Sequence, residues 1–322
     1  MTKKAFNFIF SKRHKSKIVT SKLTVDEISE MWLASVKTNR KESTYSKYKY
    51  VYEHHIQPNI GTRPLCDISQ SDINTIITEE LSNSTCKSIL CVINSIIAYY
   101  NRQFDMNISN LKYTNQKTRN KPIKILNHTE QCKLLKTLST GTNKYQIGIY
   151  ICLSTGLRLG EVCALKWSDI DLEQGLLHVN RSVSRIPIEE GSTKTKLIEQ
   201  SPKTECSKRE IPLSNQLCSL LNNQKRKGEY VLKGTGPTDP RTLQYKFKDI
   251  LTKAGIDDTN FHVLRHTFAT NSISCDTDVK TVSEILGHSD VQVTLNRYVH
   301  PSMEVKRAHM NTLANVYQNM LD

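Results

Sequence analysis

The stretch from Asn107 to Lys124 constrains this chain most. It carries Lys112, Lys117, Arg119, Lys121 and Lys124, and it shows neither helical nor strand periodicity. A polar, basic stretch of this kind closes no core, so it divides the 322 residues into two bodies. We read 107–124 as an interdomain linker. Its charge suits it to lie along a polyanion, and a solvated spacer is the other reading.

The segment before the linker, 24–106, reads as a small all-α domain. Thr24-Val25-Asp26-Glu27 is a capping box that opens a helix, and Ile28, Met31 and Trp32 then fall at helical spacing. Tyr45, Tyr48, Tyr50 and Val51 continue in a second helix, interleaved with Lys47 and Lys49, up to the turn signal Pro58-Asn59-Ile60-Gly61. Ser69–Leu81 and Thr85–Tyr100 give two more helices. Ahead of them, residues 1–23 form a basic N-terminal arm: Lys3, Lys4, Lys12, Arg13, Lys15, Lys17 and Lys22 stand there. Such an arm either adds phosphate contacts or is a solvated tail.

The segment after the linker, 125–322, mixes elements. Asn127 with Glu130 caps a helix, Tyr145–Ser154 is an apolar helix ended by Gly156, and Leu159, Val162, Cys163 and Leu165 form the next helical face. Leu176–Val183 and Lys208–Leu213 have strand character, and Asp239–Ala254 and Val263–Ser274 return to helix. The expected class is therefore mainly α with a small antiparallel β-sheet.

Charge narrows the partner. Lys plus Arg total 45 against 31 for Asp plus Glu, a formal charge of +14, which favours nucleic acid or an anionic membrane. No apolar run is long enough to span a bilayer, and the N-terminal apolar stretch is too short for a good signal peptide, so nucleic acid is the expected partner and no membrane is. The nine Cys are scattered singly, which fits reduced thiols rather than a disulfide framework or a zinc site.

Several segments carry chemistry. His262 and Arg265, in His262-Val263-Leu264-Arg265-His266, share one face of an expected helix and can meet one phosphate; surface helix charges are the blander reading. Arg158, in Thr155-Gly156-Leu157-Arg158-Leu159-Gly160-Glu161, falls near a helix N-terminus, where anions are favoured, or pairs with Glu161. Leu286-Gly287-His288 and then Arg297-Tyr298 follow. Breaking a phosphodiester without a metal needs cations for the transition state, an in-line nucleophile and an acid for the leaving oxygen. Arg, His, Lys and Tyr supply these. His266 stands four positions after His262, but no carboxylate lies between them as in a metal-binding HExxH pair, so we expect no metal and assign His266 to the framework.

Taken in order, these segments together with Pro202-Lys203-Thr204 resemble the tyrosine recombinases, the phage and mobile-element integrase family of site-specific DNA recombinases. The segment His55–Gly61 with Leu65-Cys66-Asp67-Ile68 resembles the same family's core-binding domain. The resemblance implies a helical, SAM-like core-binding domain plus an α+β catalytic domain, closing as a C-shaped clamp on double-stranded DNA. It implies Tyr298 as the nucleophile of a 3′-phosphotyrosyl intermediate, and Arg158 and Arg265 as the phosphate clamp. Lys203 would be the general acid, with Lys194 and Lys196 as rivals in the same turn-rich region. His262 would assist proton transfer and His288 would bind the phosphate. No cofactor, metal or ATP is implied. The implied working state is a homo-tetramer on two duplexes in the bacterial cytoplasm, with accessory DNA-bending or excision factors, and the apolar positions after Tyr298 would form a tail helix that packs on a neighbouring protomer. Residues 1–23 are short for the folded arm-binding domain of many integrases. A non-catalytic DNA-binding regulator on the same scaffold, a chromosome-dimer-type resolvase and a type IB topoisomerase are the alternatives.

Overall fold

The computed structural model describes residues 23–112, 123–139, 143–188, 195–201, 207–224, 226, 228–298 and 303–320. The chain divides into two compact units, 1–120 and 121–322.

In the first unit, α1 (Val25–Asn39) opens on the expected capping box: Thr24 Oγ1 accepts from Glu27 N–H, and the Glu27 carboxylate accepts from Thr24 N–H at 2.8 Å. Val25, Ile28, Trp32 and Val36 form its buried stripe. The second helix, α2 (Glu42–Val51), runs further than Pro58 suggested. It passes through a π-helical turn, Tyr52–Ile56, into the short α3 (Gln57–Ile60). Pro58 sits in the first turn of α3, where a missing N–H leaves no bond unmade, and Gln57 N–H reaches back five residues to Tyr52 C=O. By contrast, α4 (Gln70–Ile76) is shorter than the expected Ser69–Leu81. The β-branched run Ile76-Ile77-Thr78 opposes helix continuation, and Ile77 leaves the helical region at φ −91°, ψ 86°. The longest helix, α5 (Asn83–Phe104), buries Ile89, Val92, Ile93, Ile96, Ile97 and Tyr100 along one stripe.

The start of the expected linker docks on this unit. Asn101 exchanges two hydrogen bonds with the backbone of Ile108, and Asn94 two with Leu111. Gln70 brackets Lys112 in the same way. Three side-chain amides thus stand in for a neighbouring strand and satisfy backbone groups that the lack of periodicity had suggested were solvated. Residues 113–122 of the linker lie outside the described residues, as does the basic arm apart from Leu23.

In the second unit, α6 (His128–Ser139), α7 (Lys144–Thr155) and α8 (Leu159–Cys163) precede the strands. The expected Leu176–Val183 strand is two strands. β1 (Ile170–Asp171), β2 (Leu176–Val179) and β5 (Arg209–Pro212) form one antiparallel sheet in the order β1-β2-β5, while β3 (Ser182–Pro187) and β4 (Thr195–Gln200) form a separate antiparallel ribbon. The switch falls at Asn180-Arg181, where both side chains bond the buried Asp169 carboxylate and so pull the chain out of the first sheet. The helices α9 (Asn215–Asn222), α10 (Pro240–Ala254), α11 (Val263–Ser274), α12 (Val279–Leu286), α13 (Val291–Tyr298) and α14 (Met303–Asn319) complete the described elements. One large apolar core joins α6–α8, β2, β5, α10 and the start of α11, whereas Ala269, Val282, Leu286 and Tyr298 make a small satellite cluster with Phe268 and Ile273 against it. Among the described residues, no helix is long and apolar enough to cross a membrane.

Candidate active site

Two left-handed glycines build the site. Gly156 ends α7 at φ 68° and Gly287 ends α12 at φ 66°. In this conformation a Cβ is strained, and at Gly156 it would also meet Phe268 at 2.6 Å and Leu286 at 2.8 Å. Each turn leaves carbonyls that cap no helix, and the two arginines take them crosswise. Arg265 of α11 donates to Gly156 C=O and Leu286 C=O, both at 2.8 Å, and Arg158, the residue before α8, donates to Gly287 C=O at 3.0 Å. Segments more than a hundred residues apart in sequence are therefore laced by guanidinium forks.

The arginines differ in their surroundings. Arg265 is 1% exposed, and among the described residues no carboxylate hydrogen-bonds it. Burial pulls it down to about 9, still charged at neutral pH. Arg158 is half-buried and pairs with Glu161 at 2.9 Å, so both readings of Arg158, helix N-terminus and Glu161 partner, describe one arrangement. Burial pushes the Glu161 carboxyl up, but Arg209 and Arg158 outweigh it and hold the group below the ordinary value.

Arg209 was not among the expected site residues. It binds Glu161 through both terminal nitrogens, at 2.9 and 3.2 Å, and Ile285 C=O through Nε at 2.5 Å. The available signal was strand alternation: Arg209 and Ile211 share a face, and Ile211 is core. The pair ties β5 to α8 and to the end of α12.

The histidines gather around this lattice. His288 Nε2 lies 2.9 Å from Arg265 Nη2, and its Nδ1 lies 2.8 Å from Thr294 Oγ1, another residue that sequence reasoning passed over. His262 and His266 meet edge-to-face with ring centroids 4.5 Å apart. Burial comes first in lowering all three to about 4. The positive Arg265 adds to the effect at each, with Arg158 and Arg297 also acting on His262 and His288, and Arg297 on His266. All three imidazoles are therefore neutral at pH 7 while no anion is present.

Tyr298 ends α13 and is 8% exposed. Its hydroxyl is 2.6 Å from His266 Nδ1. The framework assignment of His266 is therefore incomplete: helical spacing placed it on α11 but gave no hint that α13 returns to it. Burial raises Tyr298, while Arg265, Arg297 and Arg158 pull the other way. Three other tyrosines of this unit are placed elsewhere: Tyr230 donates to Glu199, Tyr245 is exposed on α10 and Tyr150 packs against the large core. Lys203 and Lys194 lie outside the described residues, in the segments 202–206 and 189–194; Lys196 stands in β4 opposite Ile186. The structure thus brings Arg158, His262, Arg265, His288 and Tyr298 together. Among the described residues, no group of His, Cys, Asp and Glu is arranged to hold a metal ion.

The arrangement is a buried cationic lattice facing a buried phenol. Comparison with known proteins gives it a lineage. The phage integrase family profile matches residues 108–305, and the profile of the phage integrase N-terminal SAM-like domain matches 24–81. A tyrosine recombinase XerC-like protein of Caldanaerobacter subterraneus subsp. tengcongensis is 29% identical, covering 92% of this chain and 84% of its own. The ICEBs1 integrase of Bacillus subtilis is 24% identical, covering 84% and 77%. Among solved structures, the Tn1549 transposon integrase in complex with transposon right end DNA superposes with a TM-score of 0.73 at 22% identity, over 91% of this chain and all of that one. A lambda integrase tetramer bound to a Holliday junction superposes at 0.64 and 17% identity, over 93% and 86%. The structural likenesses establish the fold, and the profile over 108–305 establishes the lineage: this chain is a site-specific tyrosine recombinase of the phage integrase family.

Proposed function

We propose that this recombinase cuts and rejoins duplex DNA through a 3′-phosphotyrosyl bond to Tyr298, freeing a 5′-hydroxyl, and that it thereby integrates or excises a mobile element or phage genome. The observation that carries this reading is Arg265: a guanidinium 1% exposed, bonded to carbonyls and an imidazole. A buried charge with no carboxylate bonded to it is costly; Glu161 offsets part of that cost from a distance, and a phosphodiester beside Arg158, Arg265 and His288 supplies a directly bonded anion. Arg158 and Arg265 clamp the phosphate, His288 hydrogen-bonds it and His262 assists proton transfer. Lys203, between β4 and β5, protonates the 5′-oxygen. The phosphotyrosine retains the energy of the broken linkage, so strand exchange runs without ATP.

The DNA-bound Tn1549 and lambda integrases support duplex DNA as the partner, and the lambda tetramer on a Holliday junction supports a tetramer on two duplexes. The exposed side chains of Met303, Met310, Leu313 and Tyr317 on α14 support a tail that packs on a neighbouring protomer. Accessory bending or excision factors, the C-shaped clamp and action in the bacterial cytoplasm belong to the same reading.

The test uses duplexes spanning the junctions of the element that encodes the chain, incubated without metal or ATP. The wild type forms a denaturant-resistant protein–DNA adduct, and Tyr298→Phe binds without forming one. An adduct at wild-type level in Tyr298→Phe removes Tyr298 from its role. The XerC-like relative favours a second reading, a chromosome-dimer resolvase. It predicts adducts at one host chromosomal site and none at element junctions.

A further inference from the structure

We propose that His266 is the base that receives the Tyr298 proton as the tyrosine attacks. This rests on the reading of Tyr298 as nucleophile. His266 Nδ1 lies 2.6 Å from the hydroxyl. The cations that face the same hydroxyl are the guanidiniums of Arg158, Arg265 on α11 and Arg297 on α13. A guanidinium donates and never accepts. The phenol can therefore receive hydrogen bonds from arginine, but its own proton goes to the imidazole. His262, the residue just before α11, meets His266 edge-on and flanks the acceptor.

The position of His266 is fixed by its neighbours. Arg265 is laced to Gly156, Leu286 and His288, and Thr267, fully buried, accepts from Leu126 N–H at 3.0 Å. Both residues flanking His266 are thus anchored to other segments, and α11 holds the imidazole where α13 brings the phenol. A histidine that served only to fill space would not need this alignment at hydrogen-bond distance.

The step balances within the site. A Tyr298 oxygen lone pair forms the bond to phosphorus, and the O–H proton passes to His266 Nδ1. The P–O5′ bond breaks with its electron pair to the 5′-oxygen, which takes a proton from the acid, the role assigned to Lys203. In the reverse step the attacking 5′-hydroxyl returns its proton to that lysine, and the imidazolium returns its proton to the departing tyrosine. The same surroundings gate the step. Burial, Arg297 and Arg265 hold His266 down to about 4, so an imidazolium is disfavoured until a phosphate anion enters. Tyr298 then stays a neutral phenol on the free protein.

The experiment is single-turnover cleavage of a nicked junction duplex by the wild type, His266→Asn and His266→Ala, across about pH 6 to pH 9. An Asn amide oxygen falls near the Nδ1 position and keeps a hydrogen bond, but it does not hold a proton. We expect His266→Asn to bind the duplex as the wild type does and to cleave about 10²–10³-fold more slowly. Its rate climbs with pH where the wild-type rate is level, and added imidazole partly restores His266→Ala. A merely structural role predicts an equal loss at every pH and no response to imidazole, and that result overturns the proposal. So does an unchanged rate in His266→Asn. If the wild type itself forms no adduct that depends on Tyr298, the nucleophile assignment falls and this inference with it; a normal wild-type adduct with an unaffected His266→Asn removes His266 alone.

Discussion

The side of the site proposed to hold phosphate and the side that carries the proposed nucleophile rest on different foundations. Arg158 and Arg265 belong to segments rooted in the large core, and each is bonded to carbonyls of turns that close other helices. Tyr298 rests in the satellite cluster of Ala269, Val282 and Leu286, and the helix that follows it, α14, exposes Met310 and Tyr317. Dense packing and crossed hydrogen bonds preorganise the clamp. Few buried apolar contacts leave α13, the helix of Tyr298, more weakly anchored than the clamp. The proposed chemistry, a tyrosine that bonds to and leaves a held phosphate, is served by that division.

The largest expected effect tests the fixed side. Arg265→Lys keeps the charge but cannot fork between Gly156 C=O and Leu286 C=O while facing a phosphate. Adduct formation should fall by at least about 10²-fold, the loss typical of removing one preorganised donor. Arg158→Lys should cost less, because Arg158 is half-buried and shares Glu161 with Arg209. Single-turnover cleavage by both variants ranks the arginines, and the opposite order would mean that the half-buried guanidinium carries the clamp.

Next comes the turn that places Arg265. Gly156→Ala puts a Cβ 2.6 Å from Phe268 at φ 68°. We expect a loss of about 2 kcal/mol, and hence melting lower by roughly 4–8 °C for a domain of this size. An unchanged melting temperature would show that the two glycine turns do not lock the lattice.

Acid should act on the same region. His262, His266 and His288 lie well below the ordinary histidine value in the folded protein. Between the unfolded value, near 6.5, and about 4 the unfolded chain binds more protons than the folded one, so stability falls as pH falls through that window. Above it, both states are neutral and this contribution is flat. Bound duplex should blunt the fall, because the phosphate lets the imidazoles charge in place. Thermal melts from about pH 7 to pH 4 with and without junction duplex measure both slopes.

What the sequence disclosed follows from where the information sits. Capping boxes at Thr24 and Asn127 and the stop at Gly156 are local, so they were legible. That Arg158, Arg265, His262, His288 and Tyr298 gather in one place was legible because an ordered set of short motifs carried them. Arg209 and the hydroxyl bond to His266 were not, since each depends on a return contact between elements that no local pattern encodes. The two-sheet arrangement was hidden for a similar reason: Leu176–Val183 alternates as one strand, and only the buried Asp169 shows why it breaks at Asn180-Arg181. The docking of Ile108 and Leu111 rests on Asn94 and Asn101, two polar positions beside the apolar stripe of α5, and helical periodicity assigns such positions to solvent.

The smallest effect probes the open side. Met310 on α14 is 62% exposed, so Met310→Asp should leave the melting temperature of the free chain unchanged, within the ±0.5 kcal/mol or so of an ordinary surface substitution. Single-site adduct formation should also persist, because the lattice around Arg265 is untouched. What should fall is the yield of joined products that need several protomers at once, since a carboxylate replaces an apolar side chain at a protein contact. Measuring adduct and joined product in the same reaction separates the two. Loss of both would place α14 within the catalytic arrangement of its own protomer and remove the contrast between an anchored clamp and an open nucleophile side. Retention of both would mean that the face around Met310 meets no neighbour, and the exposed side chains of Leu313 and Tyr317 would be the next positions to change.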